Sequence, residues 1–171
     1  MQLGLTIPLM NHLKVNKLPY GAELHRRFCW DLHCIRLHNH SSLLAVHCET
    51  RYMFVLYGMS RAQWNRLPEV FLEGLITSLS NAGLEKKLIT SYLQAAGEIE
   101  LTKTHGRREV AFLNRAWDDV TALDYCIDKE QQSQPLIEQS INKMICNCVG
   151  YEGYGEPLVR FWRSLNEDST L

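Results

Sequence analysis

Long hydrophobic runs are missing from this sequence of 171 residues. The longest, around residues 53–59, falls far short of the roughly 18 apolar residues that a membrane-spanning helix needs, so no such helix is expected. Also missing is a basic segment ahead of an apolar stretch near the start, where Thr6 and Pro8 interrupt residues 3–10. No secretory signal is therefore expected. Charge of one sign is absent as well: 18 Lys and Arg stand against 19 Asp and Glu, a net charge of −1. That balance excludes a protein that coats nucleic acid by bulk charge, and recognition of phosphate would have to come from a local patch. No Cys-x-x-Cys pair occurs, and Gly150, Gly153 and Gly155 reverse the spacing of a dinucleotide loop without following a strand. No cofactor is expected from these motifs.

What is present is an ordinary folded composition, 46% hydrophobic and 22% charged, at a length suited to one domain. Six cysteines and seven histidines are the oddity. Without a secretory segment the expected setting is the cytoplasm, where cysteines stay reduced rather than forming disulfides.

Leu3, Leu5 and Ile7 alternate with polar or small residues as in a half-buried strand, and a short helix is expected over residues 10–15. Residues 28–38, 43–48 and 51–58 read as a three-stranded meander with turns at 39–42 and 49–50. Ser60 and Gln63 have the spacing of a capping box, Pro68 opens a helix to about Ser80, and a further helix ends at Gly97. A central strand follows near Ile99 and Leu101. Val110, Leu113, Trp117, Val120 and Leu123 then recur at helical spacing, predicting a long helix over residues 107–127. Two more helices are expected near residues 136–145 and 156–165. The reading is an α+β fold, a small antiparallel sheet packed on amphipathic helices. It divides into a core domain over residues 1–127 and a C-terminal helical extension over 135–171.

Apolar matching suggests a register for the first hairpin in which paired residue numbers sum to 81, so that Leu37 faces Leu44 and Ile35 faces Val46. His33 then lies opposite Cys48 with Asp31 beside it, and Cys34 lies opposite His47. Cys48, His33 and Asp31 are the residue types of a nucleophilic thiol with an oriented imidazole, while His33, Cys48, Cys34 and His47 are the types that hold zinc. Ordinary burial of small thiols in strands is the simpler reading of both sets.

A second candidate lies at Lys103-Thr104-His105-Gly106-Arg107-Arg108, where the long helix begins. A helix N-terminus carries partial positive charge, so Arg107 and Arg108 in the first turn oppose the local field. Either an anion bound by Lys103, Thr104, His105, Arg107 and Arg108 compensates them, or a nearby acid does, from Glu98, Glu100 or Glu109.

Cys29-Trp30-Asp31-Leu32-His33, Leu43-Leu44-Ala45-Val46, Arg51-Tyr52, Val55-Leu56-Tyr57-Gly58 and Lys103-Thr104 with Arg107 and Asn114 together resemble a bacterial domain family similar to plasmid-borne open-reading-frame proteins. The likeness covers about residues 1–119. The family pattern at the helix start, Lys-Thr-x-x-Arg-Ser-Val-Leu-Gly-x-Met-Asn-Asp, is met by Lys103, Thr104, Arg107 and Asn114. Arg108 and Arg115 depart from it and make the segment more basic. The resemblance implies a bacterial α+β domain and carries no activity with it.

The expected function is a recognition or accessory domain whose partner is a nucleic acid, a nucleotide or an acidic protein surface, with no membrane role. A Cys- or metal-dependent hydrolase built on Cys48, His33 and Asp31 is one alternative. A structural module that self-associates through its C-terminal helices, with Phe161 and Trp162 in contact, is the other.

Overall fold

In the computed structural model, which describes residues 1–22, 25–148 and 151–166, the N-terminal strand β1 (Gln2–Leu5) lies inside a five-stranded sheet. It pairs in parallel with β2 (Cys29–Leu37) on one side and with β5 (Glu100–Lys103) on the other. β2, β3 (His40–His47) and β4 (Met53–Leu56) form the antiparallel meander. The class is α+β, but two of the four pairings within this sheet are parallel. Parallel partners need long return connections, and β1 has them: α1 (Ile7–Leu13) and a loop precede β2, and the meander with three helices precedes β5.

The first hairpin register corrects the sequence expectation. Leu37 faces His40 and Trp30 faces His47, so paired numbers sum to 77, and His33 faces Leu44 while Cys34 faces Leu43. The reason lies in the turn. His38 and Asn39 adopt φ of 45° and 67°, the left-handed pair that suits a two-residue hairpin, and the chain reverses there and not over residues 39–42. The displacement is an even number of residues, so Ile35, Leu37, Leu44 and Val46 still share one face. The second hairpin has the expected register, with the His47 N–H donating to the Tyr52 carbonyl at 2.8 Å.

Both faces of the sheet are covered. On one, Trp30, Leu32, Leu43, Ala45, Phe54 and Leu56 pack against α1, α2 (Arg61–Trp64), α3 (Leu67–Asn81), α4 (Lys86–Ala96) and α7 (Pro157–Asn166). Trp30 is the hub, with the rings of His47, Phe54, Phe71 and Phe161 within 6 Å and its N–H donating to Tyr92 Oη at 3.0 Å. On the other face, α5 (Arg107–Ala122) and α6 (Pro135–Asn142) contribute Leu113, Val120, Ile137 and Ile141. Phe161 is therefore core, whereas Trp162 beside it is 43% exposed. Among the described residues no helix is long and apolar enough to cross a membrane.

The caps follow the sequence. Ser60 and Gln63 make the reciprocal bonds of a capping box, and Thr6 caps α1, which starts at Ile7, ahead of the expected position, because Pro8 fits the first turn of a helix. Arg107 opens α5 as expected, but the helix stops at Ala122 and ends in a 3-10 turn.

The outer edge of β4 is closed by side chains next to a single antiparallel bridge between Leu56 and Ser133. Asn142 accepts from the Met53 N–H and donates to the Met53 carbonyl, both at 2.8 Å, and Glu138 accepts from the Val55 N–H at 3.3 Å. Asn142→Ala strands both Met53 groups in a buried site, and is expected to lower the unfolding free energy by about 2–4 kcal/mol. Chemical denaturation measures this; a loss below about 0.5 kcal/mol would show that the edge does not depend on Asn142.

Candidate functional site

Four pieces of chain distant in sequence converge at one end of the sheet: Gln2 and Gly4 of β1, Cys29 and Asp31 of β2, Cys48 just after β3, and Thr104 to Gly106 between β5 and α5. Parallel pairing brings them together by aligning Gly4 with both Asp31 and Thr102. Asp31 is 1% exposed, and His105 grips it twice. The His105 backbone N–H donates to Asp31 Oδ1 at 3.2 Å, and ring Nδ1 donates to the same oxygen at 2.7 Å. Ring Nε2 faces Gln2 Oε1 at 3.3 Å, and Cys48 Sγ lies 3.5 Å from Nδ1. Gly4 makes the approach possible, since a Cβ there would stand 2.1 Å from Asp31 Oδ1 and 2.9 Å from both His105 Nδ1 and Thr104 Cα.

The ionisation of the pair follows from its surroundings. Burial by itself lowers the His105 pKa, but its hydrogen bonds with Asp31 and Cys29 and the charge of Asp31 together outweigh it and lift the imidazole from 6.5 to about 9. Burial raises the Asp31 carboxyl, opposed by its bonds from His105. At neutral pH the pair is thus carboxylate and imidazolium. Cys48 is pushed well above the ordinary thiol range, by burial first and then by the Asp31 charge, so its resident form is a neutral thiol.

Beside this pair an open pocket of about 340 Å3 is bounded by Tyr20, Gly21, Arg26, Cys29, Lys103, Thr104 and His105. Lys103 Nζ sits 4.1 Å over the Tyr20 ring. Arg26 reaches it from the segment before β2 and is anchored by an ion pair to Glu109, which is itself 3% exposed and also pairs with Arg108 at 3.3 Å. Glu109 lies in the first turn of α5 and offsets the basic helix start from within, as an acid is expected to do at that end of a helix. Gly106, at φ 148°, leaves room for it, because a Cβ there would meet Glu109 Oε2 at 2.7 Å. Arg107 is exposed and makes no ion pair with another described residue.

Of the residues singled out in the sequence, Asp31 and Cys48 do meet, but the imidazole between them belongs to His105. His33 is elsewhere: its Nδ1 pairs with Thr6 Oγ1 at 2.7 Å, its ring packs on Trp117, and burial lowers its pKa. His47 is fully buried, donating from Nε2 to the Arg27 carbonyl and accepting at Nδ1 from Thr50, and burial drops it to about 4, so it is neutral. Cys34 faces Leu43 across the hairpin, and burial raises its thiol. His33, Cys34, His47 and Cys48 therefore do not form one ligand set. Asp31, Cys48 and His105 could each give a ligand atom, all within 4.8 Å of one another, but a cation there would have to displace the proton shared by His105 and Asp31. Arg26, Gln2 and Tyr20 escaped the sequence reading, since they stand about 80 to 100 residues from their partners and form no motif.

No curated protein matches the chain. A family model described as a domain of unknown function (DUF6933) matches residues 2–159.

Proposed function

We propose, for a chain that belongs to the DUF6933 family, that it is a recognition domain which binds an anionic group in the pocket bounded by Arg26, Lys103, Thr104 and His105. One observation carries this reading: three cationic side chains, Arg26, Lys103 and a charged His105, line one open cavity of about 340 Å3. Cavities of roughly 300–1,000 Å3 suit small ligands and the terminal groups of larger ones. Phosphate and carboxylate are the matching chemistries, because the site offers a guanidinium, an ammonium and a hydroxyl beside the imidazolium charge. Arg107 and Arg108, exposed on the adjoining helix, extend the positive surface for a partner longer than one phosphate. A bacterial, plasmid-linked setting belongs to the same proposal and rests on the match of Lys103, Thr104, Arg107 and Asn114 to the family pattern.

The test is a binding titration against inorganic phosphate, nucleotides, and single- and double-stranded oligonucleotides. Lys103→Ala, which disturbs no ion pair, is expected to weaken binding roughly fivefold to tenfold. For an oligonucleotide, Arg107→Ala should reduce the salt slope by about one. Absence of binding to every probe, or affinities untouched by Lys103→Ala, overturns the proposal. A metal or a thiol nucleophile at Asp31, Cys48 and His105 is the competing reading, favoured only by the proximity of those three groups. Stoichiometric zinc in purified protein, or rapid alkylation of Cys48, would decide for it.

A further inference from the structure

Outside that pocket, the short hairpin of β6 (Cys146–Asn147) and β7 (Tyr154–Gly155) presents two thiols side by side. Residues two apart on an extended segment point the same way, and the sulfurs of Cys146 and Cys148 are 3.7 Å apart. Their surroundings differ. Cys148 is 5% exposed, and its one S–H lies within reach of both the Thr50 carbonyl at 3.2 Å and the Cys146 sulfur. Cys146 is half-buried and borders an open cavity of about 390 Å3 whose wall includes Arg51, Phe112, Met144, Ile145 and Tyr154.

Two guanidinium groups hold this segment. Arg51 Nη1 donates to the Asn147 carbonyl at 3.3 Å, and Arg160 donates to the carbonyls of Cys146 and Gly153 at 2.9 and 2.8 Å. Arg160 is 4% exposed, and among the described residues no carboxylate pairs with it. A buried cation whose hydrogen bonds end on neutral carbonyls favours a nearby anion, and the Cys146 sulfur is the group placed to supply one. The Cys148 thiol as hydrogen-bond partner, aided by Arg51 and Arg160 against the effect of burial, brings Cys146 down to about 6. The bond with Cys146 and burial push Cys148 up.

We propose that Cys146 and Cys148 form a thiol–disulfide exchange site that takes a low-molecular-weight disulfide carrying carboxylates, of the glutathione disulfide kind, with Cys146 attacking and Cys148 resolving. The Cys146 thiolate attacks one sulfur of R–S–S–R, the Cys146–S bond forms, the S–S bond breaks, and RS⁻ leaves and takes a proton from water. The Cys148 sulfur then attacks Cys146 Sγ and its proton leaves with the second thiol as RSH. Counted from the Cys146 thiolate, the protein loses two electrons and one proton, water supplies the other proton and is left as hydroxide, and the disulfide is reduced to two thiols. The asymmetry fits these roles, since the attacking sulfur borders the cavity and the resolving sulfur waits behind it as a protonated thiol. Arg51 on the cavity wall suits the carboxylates of the substrate.

Reduced full-length protein is treated with glutathione disulfide, quenched in acid, and mapped by peptide mass. The expected product has lost two hydrogens within the peptide holding Cys146 and Cys148. Cys148→Ser should stop at a glutathione adduct on Cys146, and Cys146→Ser should give neither product. At pH 6 wild-type Cys146 should react about tenfold faster than an ordinary thiol, because a thiolate fraction about 150-fold larger outweighs a roughly 13-fold loss of intrinsic nucleophilicity. The half-buried Cys34 and Cys126 of the same protein are internal controls. Adduct formation at Cys34 or Cys126 as fast as at Cys146, or oxidation without a link between residues 146 and 148, overturns the proposal.

Discussion

Gly4→Ala is expected to destabilise the fold by about 3–5 kcal/mol, the range for breaking a buried ion pair by displacing one partner. The methyl group would stand 2.1 Å from Asp31 Oδ1, so the carboxylate must leave His105, and the Thr104 backbone at 2.9 Å blocks the other way out. β1 cannot withdraw either, because it is hydrogen-bonded to a strand on each side. Conformational strain is not the cause here: Gly4 has no positive φ, and space alone excludes the side chain. Two measurements check the mechanism together. Chemical denaturation gives the loss of stability, and NMR titration of His105 should show its pKa returning from about 9 toward its ordinary 6.5. Loss of stability with His105 unmoved would locate the damage elsewhere in β1. A change below about 0.5 kcal/mol would show that the approach of β1 to Asp31 is not tight.

Raising the pH above neutrality is expected to remove the same interaction reversibly. The His105 pKa is raised in the folded state, from 6.5 to about 9, so its contribution is fully present below pH 6.5 and is lost as the pH rises through about 9. A shift of that size corresponds to about 3 kcal/mol. Cys146 titrates in the same window with the opposite sign, since a thiol lowered to about 6 stabilises increasingly as the pH rises toward its unfolded value. The comparison that isolates His105 is therefore wild type against His105→Gln, by denaturation at pH 6.5, 8 and 9.5. The wild type should lose about 3 kcal/mol more than the variant across that range. Phosphate affinity in the neighbouring pocket should fall over the same interval as the imidazolium charge disappears. Parallel pH profiles in wild type and variant would sink the ion-pair account and, with it, the charge assigned to the pocket.

How much was legible in the sequence differs between fold and site. Ser60 and Gln63, Pro68, Gly97 and the apolar stripe from Val110 to Val120 located helices, because caps and periodicity are local and need no knowledge of what lies opposite. The alternation of Ile35, Leu37, Leu44 and Val46 assigned their shared face for the same reason. It could not choose between pairings summing to 77 and to 81, since every even shift keeps the faces, and this one moves the partner by four residues, about 13 Å along the strand. That distance separates His33 from Cys48. The deciding signal was present in His38 and Asn39, whose left-handed backbone closes the turn, but apolar matching pointed to the later turn.

At the site, residue type was informative and partnership was not. Asp31 and Cys48 stood out by chemistry, and the basic run at Lys103 to Arg108 stood out by charge. Glu109 stood among the acids able to offset that run. Nothing local joined these groups to Gln2, Gly4 or Arg26.

The sequence by itself determined an α+β chain with no apolar run long enough for a membrane-spanning helix, the location of most of its helices, the inward faces of its strands, and a concentration of basic and thiol-bearing residues in a chain of balanced charge. Only the tertiary structure decided that His105 sits on Asp31, that Glu109 offsets the helix start, that Arg26 and Lys103 share a pocket, and that Arg160 lies beside two thiols. The division has a physical cause. Periodicity and capping act within a few residues, whereas the site forms where parallel pairing of β1 with β2 and β5 closes connections of about 25 and 100 residues, and those contacts exist only once the sheet has formed.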